Sequence, residues 1–303
     1  MTDRSFSFLV NPASGGGAAP EAVVPVARLL REGGARVDVT YSPGPRATGE
    51  LVEAAVGRGD VVVSVGGDGM LSSLAGAVSA AGGTLAVVPA GRGNDFARML
   101  GLPSATEDLA RLLLEAEPRK VDLLDVSLPG RPDRVVAGSV YSGVDARASE
   151  IVDRAQWLPK RLQYPYAAVR SLATYRPGRY RVTVDGTPAD YTAATVVVAN
   201  SGYYGKGMHI APAAAVDDGL LDVVVIEAAS RWELIRSLPK VYDGRHVALP
   251  EVTVLTGRRV EVNADSRVPV PVGGDGEPLG VLPRRDEPPA VVEVRPGALS
   301  VLA

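Results

Sequence analysis

The feature that most constrains the fold is a unit of short apolar strand, glycine-rich loop and helix that occurs three times in the first third of the chain. The strands span residues 6–10, 60–65 and 84–88, and the loops after them span residues 11–17, 66–69 and 89–95. Parallel strands joined by right-handed crossovers all end at one edge of the sheet, so the three loops should meet in one crevice. Such loops present backbone N–H groups to anions, which favours a single nucleotide-phosphate site over three independent structural turns.

Asp68 lies inside the second loop, Gly66-Gly67-Asp68-Gly69. A carboxylate repels phosphate, so beside a phosphate-binding loop it is expected to hold a divalent cation, most often Mg²⁺, that bridges the two. The alternative is a tight turn between strand and helix in which Asp68 is solvated.

The alternation of strands and helices predicts a doubly wound α/β domain over residues 1–126. Over residues 127–303 the strand candidates crowd together, separated by turns such as Asp185-Gly186, and predict a mainly antiparallel β domain. These strand candidates span residues 135–141, 180–184, 193–199, 220–226, 252–256, 259–262 and 291–294. Helical insertions are expected near residues 148–154 and 164–175.

Composition indicates an ordinary enzyme-sized protein of the cytoplasm. The 303 residues suffice for two domains with a buried core, and no apolar run reaches the length of a membrane span. The sequence runs almost directly into a strand, so no signal peptide is expected. The absence of cysteine excludes disulfides and thiolate metal sites. A net charge of −3 argues against general nucleic-acid binding.

Two acidic turns stand out in the second half. In Asp217-Asp218-Gly219-Leu220-Leu221-Asp222, neighbouring carboxylates repel one another, so a bound metal is a fair alternative to a plain turn. In Gly274-Asp275-Gly276-Glu277, the glycines would let a carboxylate approach a ligand closely, although the same pattern marks a hairpin. The spacing alone decides neither case.

The segment from residue 154 to residue 184 has seven basic residues and no acidic ones, interleaved with aromatic residues such as Trp157. Such a surface could dock on anionic lipid headgroups. A helix that covers the sheet while its arginines reach water explains the pattern slightly better.

The order and spacing of the motifs resemble those of bacterial diacylglycerol-kinase-type lipid kinases, relatives of sphingosine kinases and, more distantly, of NAD kinases. The matching segments are Asn11-Pro12-x-Ser14-Gly15, Thr40 before Gly44, Gly66-Gly67-Asp68-Gly69, Pro89-x-Gly91-x-x-Asn94-Asp95-Phe96-Ala97, Asn200-x-x-Tyr203-Tyr204-Gly205, Ala211-Pro212, the acidic turn at 217–222, and Asp275-Gly276-Glu277-Pro278-Leu279-Gly280. The resemblance covers nearly the whole chain. It implies a nucleotide domain followed by a β-sandwich domain, with the active site between them.

The resemblance also assigns roles. Asp275 matches the proton acceptor for the lipid hydroxyl, and Asp68 would reach the Mg²⁺ of the nucleotide. A second Mg²⁺ site matches Asp218 together with the backbone carbonyls of Ala215 and Leu220. The nucleotide-contacting positions are Asn11, Ser14, Gly15, Thr40, Gly66, Gly67, Asp68, Gly69, Met70, Leu71, Ser72, Arg92, Asn94 and Glu277.

Four segments depart from the family pattern: Met70 replaces a Thr, Ser72-Ser73 replaces Asn-Glu, Arg92 replaces a small Thr, and Gly16-Gly17-Ala18 lacks the basic residue of many relatives. Arg92 could supply phosphate charge that the first loop lacks. The expected function is an ATP-dependent lipid kinase that phosphorylates the hydroxyl of diacylglycerol or of a related lipid such as a sphingoid base. The alternatives are an NAD kinase-like enzyme and a catalytically dead lipid- or nucleotide-binding protein.

The resemblance implies a lipid substrate at the membrane surface. We expect a cytoplasmic protein that makes reversible, peripheral contact with the inner membrane face. No nucleic-acid partner is expected, and the oligomeric state stays open, a homodimer included.

Overall fold

The structure is a computed structural model. It describes residues 4–12, 14, 17, 19–42, 45–91, 93–155, 157–159, 162–163, 166–167, 170–171, 174 and 176–303.

The N-terminal part is an α/β layer structure around a parallel sheet with the strand order β2-β1-β3-β4. Its strands are β1 (Ser5–Val10), β2 (Arg36–Tyr41), β3 (Val61–Gly66) and β4 (Thr84–Pro89). Its helices are α1 (Ala19–Glu32), α2 (Pro45–Gly57), α3 (Asp68–Ala81), α4 (Asp95–Met99) and α5 (Thr106–Glu115).

Helices cover both faces of this sheet, as the apolar character of its strands requires. Phe6, Phe8 and Val10 of β1 belong to a core with residues of α1 and α5. Leu9 points the other way, into a core that α2 and α3 share. The predicted doubly wound arrangement is confirmed.

The C-terminal part is a mainly antiparallel β-sandwich-like structure, also as expected. Its strands are β5 (Pro118–Ser127), β6 (Arg134–Val136), β7 (Ser139–Gly143), β8 (Gly178–Val184), β9 (Thr187–Ala199), β10 (Tyr203–Tyr204), β11 (Met208–His209), β12 (Leu221–Glu227), β13 (Val252–Gly257), β14 (Arg259–Asp265), β15 (Pro271–Gly274), β16 (Glu277–Val281) and β17 (Ala290–Leu302). Its helices are α6 (Val144–Arg154) and α7 (Arg231–Tyr242), followed by a 3₁₀ turn at Arg245–Ala248.

Strand β17 joins the two parts. Its first half pairs with β14 of the sandwich, and it is antiparallel to β5 along most of its length. Its last residues, Ser300 and Val301, pair in parallel with Thr84 and Leu85 of β4. One hydrogen-bonded network of strands therefore runs from the sandwich into the parallel sheet of the N-terminal part.

The chain differs locally from the predicted elements. The strand predicted over 135–141 is two strands, β6 and β7, because the N–H groups of Ala137 and Gly138 donate to Asp275 instead of to a neighbouring strand. Strand β5 and helix α7 were not predicted. The helix predicted over 164–175 lies largely outside the described residues.

A second layer covers one face of the strands β7, β9 and β12. Val196 and Val198 of β9 face the sandwich core. Val197 faces the opposite side, into a smaller core that includes residues of α6, α7 and β10. In the part of the chain that the structure describes, no helix is both long enough and apolar enough to cross a membrane.

Candidate active site

The three glycine-rich loops meet at the carboxyl ends of β1, β3 and β4. A Cβ atom added to Gly91 would lie 2.4 Å from the Cα atom of Gly67, and one added to Gly67 would lie 3.7 Å from the Oγ atom of Ser14. The Asn11 N–H donates to the Val65 carbonyl across 3.0 Å and fixes the first loop against β3. Glycine at 67 and 91 is therefore what allows the backbones of the loops to approach one another.

Asn94 closes the third loop. Its backbone is left-handed, with φ of 54°. Its Oδ1 atom accepts from the Gly91 N–H across 2.8 Å, and its Nδ2 donates to the Gly91 carbonyl across 3.2 Å. Asn94 therefore shapes the loop that carries Arg92. Arg92 and Gly15, two of the predicted nucleotide contacts, lie outside the described residues.

The first residues of α3 after Asp68 differ in where their side chains lie: Met70 contacts the loop, whereas Leu71 is buried in the core. Met70 bends back over the loop, its Sδ atom 3.0 Å from where a Cβ atom of Gly66 would be. The side chain of Leu71 is 3% exposed and its N–H donates to the Gly67 carbonyl, so neither group faces the loop opening. Thr40 is half-buried on β2, beside Leu9 of β1.

Asp68 is the first residue of α3, after Gly67 at the N-cap, so its carboxylate lies at the positive end of the helix dipole. Burial raises the pKa of Asp68 to about 7, with further contributions from the negative charges of Asp95 and Asp275. Its Oδ1 atom accepts from the Phe96 N–H at 3.3 Å. Three carboxylates from three segments thus influence one another electrostatically.

Asp95 ties the third loop to the C-terminal part. It is 7% exposed and accepts from the N–H groups of Lys206 (2.8 Å) and Gly207 (2.6 Å). Burial raises its pKa despite these hydrogen bonds. The sequence analysis did not assign Asp95 a role of its own, because its partners lie more than one hundred residues away.

Asp275 and Gly276 form the two-residue turn of the β15–β16 hairpin. Both have positive φ, 46° and 87°, as the Asp-Gly pair and a type I′ turn require. The Asp275 carboxylate accepts from the N–H groups of the 137–139 segment: Ala137 (2.9 Å), Gly138 (3.0 and 3.2 Å) and Ser139 (2.9 Å). Burial raises its pKa although these bonds lower it.

As a loop, the 274–277 segment is expected from the sequence to be exposed, and this expectation is wrong for the Asp275 carboxylate. Gly276 and Glu277 are at the surface, whereas the Asp275 carboxylate is turned inward against the backbone between β6 and β7. The sequence could not indicate this, since the donors come from residues about 140 positions earlier.

Two side chains connect this hairpin to the second glycine-rich loop. The Ser72 Oγ atom accepts from the Ala137 N–H across 3.1 Å and hydrogen-bonds to Asp275. The Glu277 carboxylate reaches the loop, with Oε1 2.6 Å from where a Cβ atom of Gly69 would be. The departure from the family pattern at Ser72 therefore supplies a hydroxyl that holds the two halves of the site together.

The acidic turn at 217–222 is held in place by hydrogen bonds from its backbone N–H groups. Asp218 is exposed and its Oδ1 atom accepts from the Leu220 N–H at 2.9 Å. Buried Asp122 accepts from Gly219 (2.7 Å) and Gly297 (2.6 Å) and anchors the turn to β17. Ala215 and Leu220 are half-buried in the same turn. Sequence analysis missed Asp122, which is the only one of these carboxylates that lies outside the acidic motif.

The carboxylates around Asp68 fit a Mg²⁺ ion shared with a nucleotide. In the described part of the chain, no three His, Cys, Asp or Glu side chains form a ready metal cage. Mg²⁺ usually takes only one or two protein carboxylates and completes its shell with phosphates and water. The pKa of Asp68 is raised mainly by burial and secondarily by the charges of Asp95 and Asp275, and a bound cation would favour its ionised form.

A cavity of about 320 Å³ lies between the strands β9 and β12 and helix α7. Most of its exposed lining surface is apolar, but the lining also includes ionisable residues: Asp145, Glu227, Glu233, Arg236, Lys240, His246 and Glu251. Asp145 lies 2.6 Å from the Thr195 hydroxyl and hydrogen-bonds to Tyr204, and burial raises its pKa. Buried His246 approaches the Ile210 carbonyl through Nε2 at 3.0 Å, and it also interacts with the backbone of Lys240.

Tyr141 links this cavity to the Asp275 hairpin. Its hydroxyl accepts from the Gly276 N–H at 3.1 Å, and its ring centroid is 5.6 Å from that of Tyr204, which lines the cavity. Sequence analysis singled out neither Tyr141 nor Asp145, because both depend on partners distant in sequence.

Comparisons with known proteins agree with this architecture. Residues 5–126 match the family model of the diacylglycerol kinase catalytic domain, and residues 138–303 match that of the YegS C-terminal NAD kinase beta sandwich-like domain. A crystal structure of a diacylglycerol kinase from Bacillus anthracis str. Sterne has the same fold, with a TM-score of 0.69 at 17% identity, over 99% of this chain and 97% of that one.

The chain is also similar in sequence to curated relatives. A diacylglycerol kinase of Mycobacterium tuberculosis (strain ATCC 25618 / H37Rv) is 33% identical over 97% of this chain and 93% of the relative. A probable lipid kinase YegS-like protein of Stenotrophomonas maltophilia (strain K279a) is 27% identical over 80% of each chain. With both halves matched and both meeting at Asp275, the chain belongs to the diacylglycerol kinase family of lipid kinases.

Proposed function

We propose that this protein is an ATP-dependent lipid kinase that transfers the γ-phosphate to the hydroxyl of diacylglycerol or a related lipid alcohol. The observation that carries the proposal is the contact between the glycine-rich loops and the Asp275 hairpin, made by Ser72 and Glu277. It brings a phosphate-binding backbone and a candidate proton acceptor into one site.

The converging loops around Gly67 and Gly91 suit the nucleotide phosphates, because main-chain N–H groups can face an anion where no Cβ atom intervenes. Asp68 would hold the nucleotide's Mg²⁺, which neutralises charge on the transferring phosphoryl group when bound. Asp218, with the carbonyls of Ala215 and Leu220, is proposed as a second, structural Mg²⁺ site.

Asp275 is proposed to orient the lipid hydroxyl and to take its proton late in the transfer. Its raised pKa suits a group that must hold a proton transiently. The carboxylate already accepts several N–H bonds, so it has to exchange one of them for the substrate hydroxyl. A small shift of the hairpin would make that exchange.

The cavity beneath α7 is proposed to hold the apolar part of the lipid. It is mainly apolar, as an acyl chain requires, and Tyr204 and Tyr141 connect it to the turn that carries Asp275. The substrate stays in a bilayer, so we propose reversible peripheral contact with the inner face of the cytoplasmic membrane.

Incubation with radiolabelled ATP and Mg²⁺ and with a total lipid extract, NAD⁺ or neither tests the proposal. A labelled product in the lipid phase that depends on Mg²⁺ supports it. Label in NAD⁺ would favour the NAD kinase-like alternative. No transfer to either acceptor, with intact ATP binding, would identify a catalytically dead binding protein.

A further inference from the structure

Helix α7 presents an apolar face to solvent. Trp232 is 77% exposed, Ile235 40% and Tyr242 52%, and Pro239 is exposed between them. With 3.6 residues per turn, these four positions fall on one side of the helix. Val241 is the one fully buried residue of α7. Apolar surface that is clustered in this way marks an interaction site.

Basic residues flank this outer face. Arg231 and Arg236 fall on its two edges. Lys240 lies farther round the helix and, like Arg236, also lines the cavity. Among the described residues, neither arginine forms a salt bridge, although Arg236 interacts electrostatically with Glu233. Glu233, the acidic residue of the helix, lies toward the opposite side, where its carboxylate accepts the Ser230 N–H at 2.8 Å. The exposed face is thus apolar and cationic on a protein whose net charge is −3.

The inner side of α7 lines the cavity. Leu234, Ser237 and Val241 are among its lining residues, whereas Trp232, Ile235 and Tyr242 are not. One helix therefore separates the candidate acyl-chain cavity from an exposed apolar surface.

We propose that the outer face of α7 is the membrane-docking surface, which inserts Trp232 and Ile235 at the headgroup level of an anionic bilayer. This inference rests on the proposed lipid-kinase function. An exposed tryptophan between arginines suits the interface, where rings sit among headgroups and cations meet anionic lipid. Docking there would place the cavity directly against the hydrocarbon that supplies the substrate.

The rival surface is the basic segment from 154 to 184. Its Trp157 is 73% exposed and packs edge-on against Tyr166. Part of its charge is already neutralised, since Arg181 is paired with Asp190 at 3.0 Å. Lys160 and Arg161 lie outside the described residues.

The two tryptophans of the chain, Trp157 and Trp232, allow the surfaces to be distinguished directly. In the Trp157→Phe variant, emission reports only Trp232, and in Trp232→Phe it reports only Trp157. Titrated with vesicles of phosphatidylglycerol and phosphatidylcholine, the Trp157→Phe variant should show a blue shift and quenching by bromine-labelled acyl chains. The Trp232→Phe variant should bind with an unshifted emission. A shift of Trp157 alone, or of neither residue, would overturn the proposal.

Charge-introducing variants supply the second test. Trp232→Glu and Ile235→Glu should each weaken sedimentation with anionic vesicles by roughly tenfold or more, whereas Val24→Glu, at an exposed apolar site on α1, should not. Binding of the wild type should weaken as salt rises. Unchanged vesicle binding by Trp232→Glu and Ile235→Glu would contradict the proposal. If these variants instead turned a wild-type dimer into a monomer in analytical ultracentrifugation, the face would bind a second copy of the chain.

Activity separates this inference from the proposed function. Trp232→Glu should phosphorylate a short-chain diacylglycerol dispersed below its micellar concentration at the wild-type rate and lose activity on vesicle-borne diacylglycerol. If the wild type phosphorylates neither, the lipid-kinase proposal fails, while the fluorescence result on α7 still stands by itself. Equal loss on both substrates would show that Trp232 supports the fold and not docking.

Discussion

At the scale of single residues, folding makes ionisation of the Asp68 carboxyl less favourable. Its pKa is about 7 in the folded chain and 3.8 ordinarily, mainly because of burial, so ionisation is penalised only in the folded state. The contribution of Asp68 to the free energy of unfolding should therefore be fully present below about pH 4. It should decrease as the pH rises toward 7, by about 1.4 kcal/mol for each unit by which the pKa is raised.

We predict that Asp68→Asn removes most of this fall. Urea unfolding at pH 5 and pH 8 with a chelator present measures it, and exposed Asp38→Asn on β2 serves as the control. Added Mg²⁺ should restore wild-type stability at pH 8 and leave Asp68→Asn unchanged. The assignment would be wrong if both variants kept the wild-type pH dependence.

Asp275→Asn should lower the transfer rate by roughly 10²–10⁴-fold, because it would remove the proposed proton acceptor. Unlike an exposed loop residue, it should also lower the free energy of unfolding by about 1–3 kcal/mol. The new amide NH₂ would face N–H groups of Ala137, Gly138 or Ser139, which already point at the carboxylate.

Rate and unfolding are measured separately, and nucleotide affinity should remain near the wild-type value. Full activity in Asp275→Asn would assign the carboxylate a purely structural role as the anchor of the 137–139 segment.

At the scale of elements, two carboxylates at the turn of residues 217–222 can be compared: Asp218 within the turn and Asp122, which accepts a hydrogen bond from it. If Asp218 holds Mg²⁺, Asp218→Ala should abolish the rise in melting temperature that Mg²⁺ causes, since a ligand of the folded state stabilises it. Asp122→Asn should instead lower stability with or without Mg²⁺, because Asp122 accepts from Gly219 and Gly297. Differential scanning fluorimetry over a Mg²⁺ series distinguishes them. An unaltered Mg²⁺ shift in Asp218→Ala would place no metal at this turn.

Elements were predictable where local signals sufficed. The strand–glycine–helix units and the Asp185-Gly186 turn follow from periodicity and positive-φ preference, and all are present. Strand β5 escaped prediction because its charged residues are stabilised by distant partners, as Asp122 shows. Helix α7 escaped because several of its apolar residues face outward and Pro239 interrupts its pattern.

The sequence was sufficient to predict which segments form the candidate site, but not how their side chains are oriented within it. The loops around Gly67 and Gly91 are expected to meet from sheet topology alone. The inward turn of Asp275 was not predictable, since it depends on N–H groups in the gap between β6 and β7. Asp145 gave no local signal either, because its partner Thr195 is 50 residues away.

At the scale of the whole molecule, the shared strand β17 should make both parts unfold as one. Leu299 is fully buried on β17, so Leu299→Ala should cost about 2–5 kcal/mol and lower a single transition. Leu113→Ala, in the core shared by α5 and β1, should lower the same transition. Two separate calorimetric peaks in either variant would show that the parts unfold independently.

The pairing of β17 with β4 also sets an order of events during synthesis. The parallel sheet of the N-terminal part emerges from the ribosome first, yet β4 can gain this neighbour only after β17, the last strand described here, has been made. Until then β4 has an open edge whose unpaired N–H and C=O groups could accept a strand from another nascent chain. Exchange of β17 between two copies of the chain is therefore a route by which this fold can assemble wrongly.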